Sequence, residues 1–341
     1  MIEVSEAGRF TTIQDLGRGG YAHLGVPASG AADAFDLCVA NRLVGNPDAH
    51  AALEMTAVGP SLRFGTDTHV ALTGGKLEAL LDGEPVPMYQ TLRVKAGSEL
   101  VCGPVSQGWR SYMAVAGGID AVPVLGSRSR DTLSGLGPET VSAGAVLRVG
   151  TPLLPSPAFY LRTPPLYGQS AQLRVLAGPQ QDWFTPETLP ALRRETYRVR
   201  SQSDRVGVRL EGVELKRSRD EELPSMGMVT GAMQVPPSGQ PIVLLADHGT
   251  TGGYPVIAVV IAADLPLLAQ LAPGAEVRFS DVSREQALAA SRERGLRLTR
   301  DLVAADAGLL AARALMSLAG GHTSLRQAAI SDGMRRIRIR K

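Results

Sequence analysis

Glycine and proline recur along the chain and divide it into short segments. Up to about residue 282, short runs of Val, Ile, Leu and Thr alternate with turn residues, and the 341 residues include 38 Gly and 23 Pro. Examples are residues 92–103, 172–178 and 275–282, each a strand-length segment closed by a turn signal. Because such runs are typical of strands, the sequence predicts a mainly β protein of the barrel or sandwich type.

Helices are predicted at two places. In the stretch PASGAADAFDLCVANRLVGNP, Ser29 is the predicted N-cap, Asp33 lies in the first turn, and apolar residues recur on one face. After residue 282, the capping box SREQ begins at Ser283 and precedes a stretch rich in Ala, Leu and Arg. We therefore expect a short early helix and a helical C-terminal tail that reaches about Leu318.

The chain is long enough for roughly two domains and a tail. Five prolines within residues 151–168 predict a stiff connection between two halves. The predicted division is a first β domain at 1–155, a second β domain at 156–282 and a helical extension at 283–341.

Charge and composition limit the partners of the chain. Lys and Arg total 35 against 33 Asp and Glu, a net charge of +2, which predicts no general attraction to nucleic acid or anionic membranes. The terminal RRIRIRK is typical of a solvated edge strand or a disordered end, and it could alternatively bind an anion or nucleic acid. The longest apolar run, residues 256–263, is shorter than the roughly 20 residues that span a bilayer.

The cysteines and the N-terminus favour a cytoplasmic protein. Cys38 and Cys102 lie among apolar residues and cannot form a disulfide framework, so we expect both to be small buried side chains in a reducing compartment. The first residues show no basic stretch followed by an apolar segment, and no secretory signal is predicted.

Common catalytic motifs are missing from the sequence. It has no Walker-type phosphate loop, no G-x-S-x-G and no H-E-x-x-H, and its five histidines are scattered. No metal site is predicted. No Met-Lys-Met type biotin attachment site is present either, so a biotin-dependent reaction would need the cofactor on another chain.

The segment ADHGTTGGYP, residues 246–255, concentrates polar groups beside glycines. The hydroxyls of Thr250 and Thr251 and the backbone N–H groups of Gly252 and Gly253 could stabilise a developing oxyanion, while Asp247 orients a hydroxyl or His248. The alternative is a glycine turn between buried strands whose threonines bond their own backbone.

Two further places along the chain carry candidate residues. Ser29 and Asp33 at a helix N-terminus would favour an anionic substrate, or would simply cap the helix. Glu54 is a carboxylate inside an apolar strand and is a candidate general base, or the partner of Arg42 or Arg18 in an ion pair.

Four neutral or basic residues could bind the substrate. Gln14 and Arg18 could grip a planar carboxylate, or they are turn residues. Gln234 and Tyr254 could hydrogen-bond a small amide, whereas Arg205 is interpreted as structural.

Residues 12–64 and 231–279 together resemble the allophanate hydrolase subunit 2 family, which also includes biotin-dependent carboxyltransferases and the C subunits of 5-oxoprolinases. The stretches YMAVAGGID, VLGSRS and SDRVGVRLEG are also in the family's style, so the resemblance covers about residues 1–282. It implies two cyclophilin-like β-barrel domains. One departure is Gly249, which stands where the family usually has glutamine.

The resemblance also implies a function. The chain would be one component of an ATP-dependent 5-oxoprolinase that opens 5-oxoproline to glutamate in a complex with a subunit 1 homologue and a third subunit. In that complex Glu54, Asp247 and the threonine pair would hold the substrate or its phosphorylated form. Two alternatives stay open: a carboxyltransferase component that acts on urea or a similar small amide with a biotinylated partner, and a non-catalytic regulator of a subunit 1 homologue.

Overall fold

The structure, a computed structural model, describes residues 1–155, 157–219 and 221–304. It is mainly β, as predicted. Helices α1 to α4 are Ala34–Leu43, Thr188–Arg194, Leu265–Ala269 and Arg284–Arg300. Strands β1 to β20 are, in chain order, Ile2–Glu6, Phe10–Gln14, Ala52–Thr56, Ser61–Phe64, Thr68–Leu81, Glu84–Pro85, Leu92–Val94, Glu99–Val115, Val146–Leu147, Phe159–Leu161, Ser170–Ala177, Tyr197–Val199, Gly207–Glu211, Met226–Gly227, Ala232–Gln234, Ile242–Leu244, Thr251–Gly252, Val256–Val260, Glu276–Asp281 and Leu302–Ala304.

The first β domain is a nine-stranded sheet made of β1 to β9, with the order β2-β3-β8-β4-β1-β9 along its main path. The long strands β5 and β8 run antiparallel, with Val70 opposite Val115. The side chains of Leu53, Leu72 and Met113 are fully buried on one face of this sheet, because directly paired residues of neighbouring strands point to the same face. Helix α1 packs against β5 and β8.

The second β domain is a closed barrel with the strand order β11-β18-β15-β16-β13-β12-β19. Parallel pairing of β11 with β19, from Ser170 opposite Glu276 to Val175 opposite Asp281, joins the two ends of this path. The expectation of two β domains is confirmed, with one difference. In the part of the chain that the structure describes, the second sheet closes and the first does not.

Two local predictions need correction. Helix α1 is capped by Asp33, whose Oδ1 accepts from the N–H of Asp36 at 3.1 Å, and not by Ser29. Ser29 has a φ of 54° and its hydroxyl is used elsewhere. Residues 92–103 form parts of two strands, because Gly97 at φ 88° turns the chain between β7 and β8.

The connection and the tail each contain a strand that was not predicted. Strand β10 within the connection pairs antiparallel with β20, with Tyr160 opposite Val303. The capping box is confirmed, since the Ser283 hydroxyl accepts from the N–H of Gln286 at 3.3 Å and the Gln286 side chain accepts from the N–H of Ser283. Helix α4 ends at Arg300, not at 318, because the chain turns into β20. The rest of the predicted helix and the terminal RRIRIRK lie outside the described residues.

Both cysteines are buried and unpaired, as predicted. Burial raises the pKa of the Cys102 thiol to about 12 and that of Cys38 further, so both are neutral thiols. Among the helices of the described residues, none has the length and apolar character that crossing a membrane requires.

Candidate functional site

The two β domains meet at a buried cluster of charged residues centred on Arg205. This side chain follows β12 and is 2% exposed. Its guanidinium donates to Glu54 Oε1 in the first domain and, at 2.9 Å each, to both carboxylate oxygens of Asp247 in the second. Its Nη2 also donates to the carbonyl oxygen of Gly30 at 2.5 Å. One cation therefore joins two carboxylates that lie far apart in sequence.

Glu54 is held from every side. Its Oε1 lies 3.6 Å from Nε of Arg110, in addition to the contact with Arg205. Its Oε2 accepts from the hydroxyl of Tyr112 at 2.8 Å and from the N–H of Ala32 at 2.9 Å. The carboxylate is 1% exposed and is satisfied within the protein, which favours a structural role in this conformation.

The ion pair considered for Glu54 exists, but its predicted partners were wrong. Arg42 instead pairs with Asp48 at 2.6 Å, and Arg18 donates to the carbonyl oxygens of Val124 and Ser129. The interpretation of Arg205 as structural agrees with its position at the centre of the cluster.

Both carboxylate oxygens of Asp247 also accept hydrogen bonds from within the protein. Besides Arg205, its Oδ1 accepts from the Ser29 hydroxyl at 2.8 Å, and its Oδ2 accepts from the N–H and the hydroxyl of Thr132 at 3.0 and 2.7 Å. Burial alone would raise the pKa of Asp247, but the charge of Arg205 and the hydrogen bonds from Arg205 and Thr132 lower it. Asp247 is thus an ionised carboxylate that fixes Ser29 and Thr132.

Asp33 belongs to a second buried cluster at the same interface. Its Oδ2 accepts from Gln270 Nε2 at 3.0 Å and from the hydroxyl of Tyr167 at 3.1 Å. The same hydroxyl lies 2.5 Å from Asp36 Oδ2. Burial and the neighbouring charge of Asp33 raise the pKa of Asp36 well above its usual range. Because Asp33 is enclosed, a bound anion would have to displace Tyr167 or Gln270.

The remaining candidates of the 246–255 segment lie toward the surface. Strand β17, Thr251–Gly252, pairs with β14, and Tyr254 is 45% exposed. Thr250 uses its carbonyl oxygen to accept from the N–H of Met228 at 2.9 Å. Gly253 is exposed. These groups are accessible to a ligand or a partner.

Gln234 and Gln14 contact different parts of the structure. Gln234 is 8% exposed and approaches Gly252 so closely that a Cβ there would lie 2.5 Å from its Nε2. Gln14 donates to the carbonyl oxygen of Arg130 at 2.8 Å, and the Ser29 hydroxyl also reaches this oxygen at 3.0 Å. The substrate-binding roles of both glutamines, like that of Arg18, stay predictions.

A cavity of about 320 Å³ lies where the first domain, the second domain and α4 meet. We call it the interface pocket; it is lined by Ser29, Phe35, Thr230, Ala246, Arg294 and Gly295, with further apolar residues. It lies within the range of about 300–1,000 Å³ typical of small-molecule sites, which often form between domains. Both predicted segments contribute to this pocket, since Ser29 and Ala246 line it.

Thr230 and His248 form a fixed pair beside the pocket. His248 Nδ1 lies 2.7 Å from the carbonyl oxygen of Gly249, which can only accept, so Nδ1 carries a proton. In neutral His248 the Nε2 atom is then an acceptor, and the Thr230 hydroxyl, 3.2 Å away, donates to it. The Thr230 oxygen keeps lone pairs that can accept a hydrogen bond.

Several functional candidates were missed by sequence reasoning. Arg110 and Thr132 complete the buried cluster, and Thr230 and Arg294 line the pocket. Arg294 sits in an Ala- and Arg-rich amphipathic helix, where an arginine carries no distinguishing signal. Among the described residues no group of His, Cys, Asp and Glu side chains is arranged to hold a metal ion.

The chain matches the family model of the carboxyltransferase domain, subdomain A and B, over residues 24–281. It is similar to the C subunit of the 5-oxoprolinase of Escherichia coli (strain K12), with 41% identity over 86% of this chain and 95% of that protein. The corresponding 5-oxoprolinase component of Haemophilus influenzae is 34% identical over 84% of this chain and 93% of its own length.

A solved structure agrees with these relatives. The crystal structure of the Kluyveromyces lactis urea carboxylase superposes with a TM-score of 0.81 and 30% identity, covering 87% of this chain but 29% of that one. The family resemblance inferred from the motifs is thereby confirmed. The chain belongs to the carboxyltransferase domain family, subdomains A and B.

Proposed function

We propose that this chain is the C subunit of an ATP-dependent 5-oxoprolinase, which opens the lactam 5-oxoproline to glutamate together with a subunit 1 homologue and a third subunit. The observation that carries the proposal is the 41% identity to the Escherichia coli protein of that name over 95% of its length. The proposed location is the cytoplasm.

The interface pocket supports a lactam as the ligand. It is small and mostly apolar, and it has an acceptor at Thr230 and a cation at Arg294. Glu54 and Asp247 do not face a ligand in this conformation, because donors of the protein occupy their oxygens. We assign them a positioning role, in which they hold the backbone around Ser29, Thr132 and residue 246.

A different role is proposed for the exposed or half-buried residues that follow Gly249, namely Thr250, Thr251, Gly252, Gly253 and Tyr254. They form an accessible edge of the second domain, where hydroxyl and N–H donors can meet a developing oxyanion or a partner subunit. Because the lactam carbonyl must be reached by the rest of the complex, this edge is the side from which we expect the partner to dock.

ATP does not fit the interface pocket. A triphosphate is usually bound by a glycine-rich loop or by several cations, whereas Arg294 is the single charged side chain among the described residues that line this cavity. Arg205 and Arg110 are already neutralised by Glu54 and Asp247. We therefore assign ATP to another subunit and derive no ATP-dependent step in this chain.

The test is glutamate release from 5-oxoproline and ATP by the reconstituted complex, with each subunit omitted in turn. We expect glutamate only when this chain is present. A stable complex that hydrolyses ATP but releases no glutamate would contradict the proposal and favour a regulatory role or another small amide.

A carboxyltransferase function is the second candidate, favoured by the TM-score of 0.81 to a urea carboxylase. It requires a biotinylated partner, and its substrate would be urea or a similar amide. Avidin distinguishes the two functions, since it should abolish turnover by a biotin-dependent complex and leave a 5-oxoprolinase unaffected.

A further inference from the structure

We propose that Arg294 of helix α4 binds the carboxylate of the substrate, so that the interface pocket selects lactams that carry an acid group beside the ring nitrogen. This inference rests on the proposed function and names a specificity residue outside the 24–281 match to the family model.

The side chain of Arg294 has an unused donor. Its Nη1 atom is buried and has no hydrogen-bond partner among the described residues, while its guanidinium carbon lies 5.1 Å from the ring centre of Phe35. Buried donors are normally paired, since an unpaired one forfeits its bonds to water. A guanidinium held over an aromatic ring and short of an acceptor is suited to receive one from a ligand.

The charge balance of the pocket points to an anion. Of the residues described along its wall, Arg294 alone carries a charge. The nearby carboxylates of Asp247 and Glu54 are neutralised by Arg205 and Arg110. The remaining wall is mostly apolar, with side chains such as Phe35 and Leu298, which matches a compact ring better than a long polar chain.

A second polar contact orients the ring. The Thr230 hydroxyl donates to His248, so its oxygen is available as an acceptor for the lactam N–H. Arg294 then takes the carboxylate and Thr230 the N–H, groups that are close together in 5-oxoproline. A lactam without the carboxylate, such as 2-pyrrolidinone, keeps only the contact to Thr230.

The experiment compares 5-oxoproline with 2-pyrrolidinone as ligands of the full chain, by calorimetric titration, and as substrates of the reconstituted complex. Wild-type protein should bind 5-oxoproline more tightly than 2-pyrrolidinone. The substitution Arg294→Met should weaken 5-oxoproline binding about tenfold to a hundredfold and raise KM similarly, with little change in kcat and in 2-pyrrolidinone binding. Arg294→Lys, which keeps the charge, should restore part of the loss.

Arg297→Met is the matched control. Arg297 lies on the same helix, 5.7 Å from the same Phe35 ring, but it does not line the pocket. It also pairs with Asp301, so this variant should lose stability without a change in the preference between the two lactams. An equal effect of both substitutions would overturn the proposal, because it would indicate a structural role for Arg294.

Gly295→Leu tests the position of the ligand independently of charge. A Cβ at Gly295 meets no atom within 4 Å, and leucine favours a helix over glycine, so the variant should fold at least as well as wild type. Because Gly295 lines the pocket, both lactams should bind more weakly.

The outcomes separate this proposal from the proposed function. Selective binding that depends on Arg294, together with a complex that releases no glutamate, contradicts the 5-oxoprolinase function and leaves the carboxylate site standing. Glutamate release with an unchanged lactam preference in Arg294→Met overturns the carboxylate site alone. Failure of wild-type chain and complex to bind either lactam also overturns it.

Discussion

Arg205 is a buried cation whose carboxylate partners belong to different β domains. We expect Glu54→Gln to lower the free energy of unfolding by about 3–5 kcal/mol, because Arg205 and Arg110 would lose a shared buried counter-charge. Chemical denaturation measures this. Glu3→Gln, on an exposed strand position, is the control and should stay within about 0.5 kcal/mol of wild type. Equal effects of the two substitutions would contradict the prediction.

Asp36 should make stability depend on pH. Burial and the charge of Asp33 raise its pKa, and the hydroxyl of Tyr167 contacts both carboxylates. Above the usual carboxyl pKa of about 4, the unfolded chain releases this proton while the folded chain retains it, so the free energy of unfolding falls as pH rises toward the folded-state pKa. Asp36→Asn should remove this fall and be the more stable form near neutral pH.

Urea midpoints between about pH 5 and 8 check the Asp36 prediction. Asp67→Asn is the control: hydrogen bonds from the N–H of Ala96 and from Lys95 lower the pKa of this exposed carboxyl, so it is ionised in both states throughout that range. The difference in urea midpoint between Asp67→Asn and wild type should therefore not change with pH. If the difference in urea midpoint between Asp36→Asn and wild type does not change with pH, Asp36 does not retain its proton in the folded chain.

At single residues, the sequence indicated that a buried charge must be paired, but it did not indicate which residue would be its partner. A carboxylate in an apolar strand had to be paired, and Glu54 is. Its partner Arg205 lies 151 residues away, however, and the pairing depends on how two domains dock. Single positions carry no signal of that geometry. The same limit applies to Ser29, whose predicted cap role failed because its hydroxyl bonds Asp247 instead.

At the scale of elements, local signals were reliable. The capping box of α4 was predictable because its two hydrogen bonds join residues only three positions apart. The end of that helix was not, because β20 forms by pairing with β10, a contact that spans most of the second half of the chain. Closure of the second sheet likewise depends on pairing between β11 and β19.

Helix α4 offers a test of its cap. Ser283→Ala should destabilise the first turn by about 1 kcal/mol, because the N–H of Gln286 loses its acceptor. Hydrogen exchange of the α4 amides should then be about fivefold faster near residue 286. Ser291→Ala, in the middle of the same helix, is the control and should not increase exchange, since alanine is the better helix former. Unchanged exchange in Ser283→Ala would argue against the cap.

At the scale of the whole molecule, Gln270 connects the two β domains as Arg205 does, but through a neutral side chain. Its Oε1 accepts from the N–H groups of Trp109 and Arg110 at 3.0 Å, and its Nε2 donates to Asp33 and to the carbonyl oxygen of Arg110. All these partners lie in the first domain. This single amide side chain therefore couples the barrel to the nine-stranded sheet.

Gln270→Met should uncouple the two domains. The change leaves buried donors without acceptors, at about 1–3 kcal/mol for each group. In scanning calorimetry, we expect one unfolding transition for wild type and two separated transitions for the variant. Gln172→Met, at an exposed position of the barrel, should keep the single transition. A single transition at the wild-type temperature in Gln270→Met would show that this amide does not couple the domains.

The residues that line the interface pocket are synthesised in a fixed order, and those of helix α4 come last. Both sheets are complete once residue 281 has been made, but Arg294 and Gly295 come from α4, which follows them. A nascent chain that stops before α4 can form its β domains and still lack the wall that carries the cation. If Arg294 binds the substrate, the polypeptide acquires ligand recognition only after both β domains have been synthesised, and binding reports that translation has passed this helix.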